Sequence, residues 1–181
     1  MKIHIDIPLE QNKYQNARRI CCPNILEKEF ADSCLAEIKQ LDLPLLNHPS
    51  SKNPYEVVNE QFAWRFHKTN KIDNYGPNLQ ILLEFIKTEL SKYAYKITDK
   101  PVEFHGNPQV TRYNYDCFLS PHSDNVGWRS LAYYFYFNDD WQVDWGGNTM
   151  FVEDDKIVDT FVPYHNSFCL FDVEVPTRHF V

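Results

Sequence analysis

The stretch that decides the fold is PHSDNVGWRSLAYYFYFNDDW, residues 121–141. A turn proline is followed by His122-Ser123-Asp124, a short polar loop, and a run of apolar residues at 131–137. Side chains two residues apart in an extended chain project to the same side, so one metal ion is within reach of both His122 and Asp124. The stretch therefore predicts a ligand pair at the end of one strand and a buried strand after it.

The rest of the C-terminal half has the same short-strand character. Apolar residues alternate with polar ones in short runs, and Asn138-Asp139-Asp140 and Gly146-Gly147 are among the turn clusters that separate the runs. Many short strands at near-regular spacing are typical of a sandwich or a double-sheet barrel. The predicted strands cover residues 109–115, 118–123, 129–137, 148–152, 156–162, 167–173 and 177–181.

The N-terminal half has a helical pattern. Apolar residues recur every three or four positions over residues 23–41, with Asn24 as the cap, and again over 77–93 after Pro77. The Asn-, Pro- and Ser-rich region between them is predicted to be loop. We expect an α+β, mostly β fold in a single domain of residues 1–181, with a helical support region (1–100) and a β core (101–181).

Composition limits the kinds of binding partner and the cellular compartment that are expected. The net charge of −7 and the pI of about 5.4 disfavour binding to nucleic acid or to anionic membranes. The five cysteines form no C-x-x-C pair, and no signal peptide or membrane-spanning segment is found. We therefore expect a cytoplasmic protein with reduced thiols; a homo-oligomer is compatible with the sequence.

A His-x-Asp pair alone is weak support for a metal site, since His4-Ile5-Asp6 has the same pattern before any predicted core element. The distal candidate is His179, in the last strand-like run. Two histidines and one carboxylate occupy one face of an octahedron, as in non-haem Fe(II) oxygenases. Zinc is the competing metal, but the helical H-E-x-x-H string of metalloproteases is absent.

Several features occur together along residues 111–181, in this order: Tyr113, His122-x-Asp124, Arg129, Tyr136-Phe137-Asn138, Trp141, Gly146-Gly147, Pro163, Phe171 and His179. In this joint pattern the stretch resembles the Fe(II)- and 2-oxoglutarate-dependent oxygenases, in particular the prolyl-hydroxylase-like group. The resemblance implies a double-stranded β-helix (jelly roll) in which Fe(II) is held by His122, Asp124 and His179.

The resemblance also implies a reaction and further site residues. Tyr113 and Tyr136 correspond to positions near the cosubstrate, and Arg129 to a position near the substrate entrance. The cofactors would be Fe(II), 2-oxoglutarate and O2, and an unactivated C–H bond would be hydroxylated while succinate and CO2 form. The substrate would be a prolyl residue of a protein or peptide, or a proline-like small molecule.

One departure from the family concerns the anchor of 2-oxoglutarate. The family places a basic residue on the last core strand, beyond the distal histidine, whereas this sequence stops at Val181. The last core strand is therefore predicted to be missing, as in a C-terminally incomplete enzyme. Arg178 and Arg112 each neighbour a residue that must point inward, which leaves Arg129 as the candidate anchor.

Two alternatives stay open from the sequence. The first is a catalytically incomplete metal-binding β-barrel that lacks the 2-oxoglutarate anchor. The second is a cupin-type enzyme that uses the same barrel and metal without 2-oxoglutarate; it fits less well because cupins usually supply more histidines.

Overall fold

The computed structural model describes residues 3–52, 61–69, 75–103 and 108–181. Helices dominate the first half of this part of the chain and strands the second. In chain order the elements are α1 (Ile7–Ala17), β1 (Arg19–Cys22), α2 (Lys28–Lys39), β2 (Leu45–Lys52), β3 (Gln61–Thr69), α3 (Pro77–Thr88), α4 (Leu90–Thr98), β4 (Val110–Arg112), β5 (Phe118–Leu119), β6 (Leu131–Tyr136), β7 (Thr149–Glu153), β8 (Lys156–Phe161), β9 (Ser167–Asp172) and β10 (Arg178–Phe180).

Two antiparallel sheets build the β core. One has the strand order β1-β9-β6, and the other has the order β10-β7-β8. The second sheet is extended by the segment after β5, because His122 and His179 form an antiparallel bridge. The sheets share an aromatic cluster in which Phe151 of β7 contacts Phe171 of β9 with ring centroids 5.3 Å apart. A third sheet, β2-β3-β4, is joined to this core by β5, which pairs with β3.

Strand β9 is buried on both faces because it separates two apolar clusters. Successive side chains of a strand point to opposite faces. Phe168 and Leu170 pack against the helices, whereas Cys169 and Phe171 point between the two sheets. Every residue of β9 is consequently buried, and the helices form an outer layer on the β1-β9-β6 sheet.

The outer layer is fastened to β9 by the buried carboxylate of Asp172. This carboxylate accepts a hydrogen bond from the Tyr14 hydroxyl at 3.0 Å. It also forms ion pairs with Arg18 at 2.8 Å and with Lys100 at 2.7 Å. The ends of α1 and α4 are thereby held to the strand that leads towards His179.

The strand predictions for the second half are confirmed, since each predicted segment overlaps one of β4 to β10. The first half corrects several predictions. The helix predicted from residue 23 begins at Lys28, because Asn24 has a φ of +53° and Leu26 bridges to Ile3. The helix predicted over 77–93 ends at Thr88, and α4 follows it.

The predicted loop between the two helices was also wrong. This region contains β2 and β3, and neither α1 nor β1 was predicted. The alternation of Phe62, Trp64 and Phe66 in β3 is the local signal for a strand that the polar composition nearby obscured. Strand β1 has four residues, too few for a period-two pattern to be recognised.

One edge of the β1-β9-β6 sheet is open. Strand β6 pairs with β9, and no strand of the described part of the chain pairs with its other edge. Residues 3–7 do not cover the edge, since Ile3 lies beside Leu26 and α1 begins at Ile7.

Candidate metal centre

His122, Asp124 and His179 come together at one end of the β core. One ligand atom from each lies within 4.8 Å of the other two. The Nε2 atom of His122 is 3.8 Å from Oδ1 of Asp124, and the Nε2 atom of His179 is 3.9 Å from Oδ2 of the same carboxylate. No other group of three such residues is close enough to share a metal ion in the described ranges. The structure thus brings together the three ligands expected from the sequence.

Backbone pairing fixes the two histidines relative to each other. The backbone N–H of each donates to the carbonyl of the other, at 3.0 and 2.9 Å, and the ring centroids are 4.2 Å apart. Side chains of directly opposed residues lie on the same face of a sheet. One pair of backbone hydrogen bonds therefore holds His122 and His179 side by side, although they are 57 residues apart in sequence.

The ring orientation of His122 is set by Ser120. The Nδ1 atom of His122 lies 3.0 Å from the Ser120 carbonyl oxygen, which can only accept a hydrogen bond. Nδ1 therefore carries the proton, and the lone pair of Nε2 faces the cluster. Backbone carbonyls orient metal-bound histidines in this way in many proteins.

His179 lies against an aromatic wall. Its ring centroid is 4.9 Å from that of Phe171 and 5.9 Å from that of Phe151. Burial, with a smaller contribution from His122, lowers the pKa of His179 to about 3. The exposed fractions of the His179, His122 and Asp124 side chains are 9%, 10% and 27%, so the cluster opens to solvent on the Asp124 side.

A cavity of about 360 Å³ adjoins the cluster. His179 and Val181 contribute to its wall, together with strand β6 and the apolar face of α3. Tyr113 and Tyr136, the residues expected near a cosubstrate, both line this cavity. The Tyr136 hydroxyl is 2.7 Å from the Thr149 hydroxyl, and burial raises the pKa of both tyrosines well above the usual range.

Arg129 occupies a different position from these tyrosines. Its Nη1 atom is 3.3 Å from Oδ1 of Asp124, and its guanidinium lies over the Trp128 ring, 5.6 Å from the centroid. It is absent from the residues that line the cavity. Arg129 therefore lies at the solvent side of the group formed by His122, Asp124 and His179. Its role near the substrate entrance stays a prediction from the resemblance.

Two polar residues of the cavity were not expected from the sequence. The Tyr134 hydroxyl and the Trp141 Nε1 atom are buried in the cavity wall and have no hydrogen-bond partner among the described residues. Long-range packing brings both residues to the cavity, and a short sequence motif cannot predict such packing. Among the described residues no other histidine joins the three candidate ligands, and His165 is 3.0 Å from Asp32 instead. His105 lies outside the described residues.

Three solved structures resemble the whole fold. An oxidoreductase of the 2OG-Fe(II) oxygenase family from Burkholderia pseudomallei has a TM-score of 0.63 at 13% identity, over 100% of this chain and 85% of that one. A Pseudomonas putida prolyl-4-hydroxylase has a TM-score of 0.68 at 12% identity, over 97% and 90%. A prolyl hydroxylase from Trichoplax adhaerens, in complex with a hypoxia inducible factor peptide fragment, has a TM-score of 0.69 at 15% identity, over 97% and 83%.

These likenesses confirm the double-stranded β-helix. Residues 108–181 match the family model of the 2OG-Fe(II) oxygenase superfamily. The enzyme class is thus a 2-oxoglutarate-dependent oxygenase, with Fe(II), 2-oxoglutarate and O2 as its cofactors. No curated protein sequence matches the chain closely enough to count as a relative.

The cavity fits such a cosubstrate in part. An indole N–H only donates, and a buried tyrosine hydroxyl also needs a partner, so Trp141 and Tyr134 are suited to the acceptor oxygens of a dicarboxylate. No Lys or Arg lines the cavity in the described part of the chain, so the basic anchor expected of the family is not among these residues. No helix of the described residues is long and apolar enough to cross a membrane.

Proposed function

We propose that this oxygenase hydroxylates a prolyl residue of a protein or peptide, or a proline-like small molecule, and that His122, Asp124 and His179 hold its Fe(II). The observation that carries the proposal is the cluster of these three side chains, with ligand atoms within 4.8 Å, beside a cavity of about 360 Å³. Two imidazoles and one carboxylate leave three positions of an octahedron open.

The chain's own residues have separate tasks in this proposal. Asp124 supplies the single negative charge, and Ser120 holds His122 in the tautomer that presents Nε2. Phe151 and Phe171 exclude water from the His179 side. The Fe(II) and 2-oxoglutarate pair, when bound, supplies the oxidising chemistry and releases succinate and CO2.

We assign the cosubstrate to the cavity that Tyr113 and Tyr136 line. Tyr136 shares a hydrogen bond with Thr149, which orients its hydroxyl. The unpartnered Tyr134 and Trp141 donors lie in the same wall and add two groups that can bind a carboxylate. Since no Lys or Arg lines the cavity among the residues that the structure describes, neutral donors of this kind carry the recognition.

A prolyl substrate is supported by the solvent side of the cluster. Trp128 is 65% exposed and stacks with Arg129, whose other side reaches Asp124. Proline-rich segments bind to exposed aromatic surfaces. Two of the structural neighbours are prolyl hydroxylases by name, and one was solved with a peptide fragment. We place Arg129 at the substrate, where it guides a peptide over Asp124.

Turnover with proline-containing peptides tests this proposal. The full chain is incubated with Fe(II), 2-oxoglutarate, O2 and peptides of varied sequence, with free proline in parallel. We expect succinate that depends on iron and O2, and a peptide that gains one oxygen on proline. Peptides with Pro→Ala changes serve as controls. Succinate without hydroxylated proline would overturn the substrate, and no succinate under any condition would overturn the activity of this chain.

The metal-binding barrel without turnover is the second candidate. It is favoured by one observation, the lack of Lys and Arg among the described residues of the cavity wall. It predicts that Fe(II) binds and 2-oxoglutarate does not. The single domain of residues 1–181, the cytoplasmic location and the homo-oligomer remain predictions from the sequence.

A further inference from the structure

Two thiols face each other inside the β core, and neither belongs to the three candidate metal ligands. Cys21 of β1 and Cys169 of β9 are direct partners in the antiparallel register, and their Sγ atoms are 3.0 Å apart. Both are free cysteines. Cys169 packs in the cluster of Phe151, Phe161 and Phe171, and Cys21 borders that cluster.

The hydrogen-bond pattern of the two strands places this pair well for a covalent bond. The Asp172 N–H donates to the Arg18 carbonyl, so those two residues are a hydrogen-bonded pair. Hydrogen-bonded and non-hydrogen-bonded pairs alternate along antiparallel strands. Cys21 and Cys169, three positions further, are therefore a non-hydrogen-bonded pair with Cα atoms about 4.5 Å apart. Disulfides form at Cα separations of roughly 4.4–6.8 Å, so the backbone need not move.

The two thiols differ in access and in acidity. Cys21 is partly exposed, whereas Cys169 is buried. The Cys169 thiol donates towards Cys21 and lowers the pKa of Cys21, with a smaller contribution from the Lys13 ammonium. Burial raises the pKa of Cys169 well above the usual range. Cys21 is therefore the thiol that meets an oxidant first, and Cys169 is the one that resolves the product.

We propose that Cys21 and Cys169 form a peroxide-sensitive site that closes to an intramolecular disulfide. The Cys21 thiolate attacks hydrogen peroxide, so that an S–O bond forms, the O–O bond breaks and hydroxide leaves. The Cys169 sulfur then attacks the Cys21 sulfenic acid, an S–S bond forms and the oxygen leaves as water. Overall, two thiols and one peroxide give one disulfide and two waters.

The position of the pair connects it to the cavity wall. Cys169 is also the register partner of Tyr134 on β6, and Tyr134 contacts Tyr136 with ring centroids 5.0 Å apart. Formation of the bond draws the two sulfurs from 3.0 Å to about 2.05 Å. The disulfide thus ties β1 to the strand that supports these tyrosines. This proposal does not depend on the substrate of the oxygenase.

Thiol counting and peptide mapping test the site. The full chain is treated with hydrogen peroxide in the presence of a chelator, so that no iron reacts with the peroxide, and is then alkylated and digested without reductant. We expect a cross-linked peptide that joins Cys21 to Cys169, and a fall from five free thiols to three that dithiothreitol reverses. The oxidised protein should melt several degrees higher, because the bond closes a long loop.

Two single variants separate this site from general oxidation. Cys21→Ser should form no cross-link, and Cys117→Ser, which replaces a cysteine of similar exposure outside the pair, should form it as the wild type does. The proposal is overturned if Cys21 oxidises further while Cys169 stays reduced, or if Cys21→Ser loses thiols as fast as the wild type. If Cys21→Ser fails to fold, the peptide map of the oxidised wild-type protein alone shows whether Cys21 and Cys169 are cross-linked.

Discussion

The chain contains two His-x-Asp tripeptides, and the structure uses them for different purposes. Near the start, His4 pairs with Glu27 at 2.7 Å, and Asp6 accepts a hydrogen bond from the Leu9 N–H as the N-cap of α1. At the end of β5, by contrast, His122 and Asp124 turn towards one point and meet a third candidate ligand. The same three-residue pattern therefore caps a helix in one place and contributes two of three candidate metal ligands in the other.

The difference lies in what long-range pairing brings to each tripeptide. The antiparallel bridge to β10 brings His179 beside His122. The bridge between Ile3 and Leu26 brings Glu27 to His4, but these residues form no group of three possible metal ligands in the described part of the chain. Burial differs as well: the side chain of His4 is 49% exposed and that of His122 is 10% exposed. A His-x-Asp pair therefore becomes a candidate metal site when a paired strand adds a third ligand and the position is largely buried from water.

Removing each aspartate gives the largest contrast between the two tripeptides. Asp124→Ala removes the single anionic ligand, and we expect Fe(II) affinity to fall by more than about a hundredfold, because even the loss of an outer partner costs up to that much. Asp6→Ala, the matched control, should leave Fe(II) affinity unchanged. Anaerobic equilibrium dialysis measures both. Equal affinities in the two variants would contradict the site assignment.

The burial of His179 should appear in the pH dependence of stability. The pKa of His179 is about 3 in the folded, metal-free chain, against a value near 6.5 when unfolded. The unfolded state thus binds one more proton between these values, so stability is full above pH 6.5 and falls by about 1.4 kcal/mol per pH unit below it. Urea unfolding from pH 7 to pH 5 measures this slope.

His179→Gln tests whether that slope belongs to His179. The variant should lose most of the dependence over the same range, since glutamine does not titrate. A slope that survives the substitution unchanged would show that other groups cause it.

Asp6→Ala should have a moderate effect on stability. The carboxylate of Asp6 satisfies a backbone N–H at the start of α1, and loss of such a cap costs about 1 kcal/mol. Asp6→Asn retains the acceptor and should recover most of the loss. Denaturant midpoints of the metal-free proteins provide the comparison, and a cost of zero would mean that the first tripeptide has no structural role.

Arg129→Ala should have the smallest effect. Arg129 is about one-third exposed beside Asp124, and an exposed ion pair is worth at most about 1 kcal/mol. Because we place it at the substrate, KM for the peptide should rise about fivefold with little change in kcat. Arg129→Lys should recover part of the loss. A fall in kcat with KM unchanged would contradict this role and would mean that Arg129 acts on the candidate metal ligands, through Asp124, rather than on the peptide.

The β core and the His122-x-Asp124 pair could be predicted because their signals are local. Alternation, turn residues and the His122-x-Asp124 spacing all lie within a few positions of each other. Strands β1 to β3 and the split between α3 and α4 were missed, because short or polar segments take their structure from tertiary pairing rather than from their own pattern. His179 was a candidate because it lies in the last strand-like run, and the resemblance to the oxygenases supported it; no spacing rule connects it to His122.

Other contacts depend on how the strands pair, and they could not be predicted from the sequence. Nothing near Tyr134 or Trp141 in sequence indicates that their polar atoms line a cavity without a partner. The contact between Cys21 and Cys169 joins residues from opposite ends of the chain and follows from the pairing of β1 with β9. Such contacts become visible only when the strand order is known.

The most direct test of the proposed iron site is an anaerobic titration with Fe(II) and then 2-oxoglutarate, followed by visible absorption. We expect the charge-transfer band of the iron chelate to appear in the wild type and in His4→Ala, and to be absent in Asp124→Ala. Iron binding without the band in the wild type would favour the metal-binding barrel. A band of wild-type strength in Asp124→Ala would contradict the assignment of His122, Asp124 and His179 as the iron site.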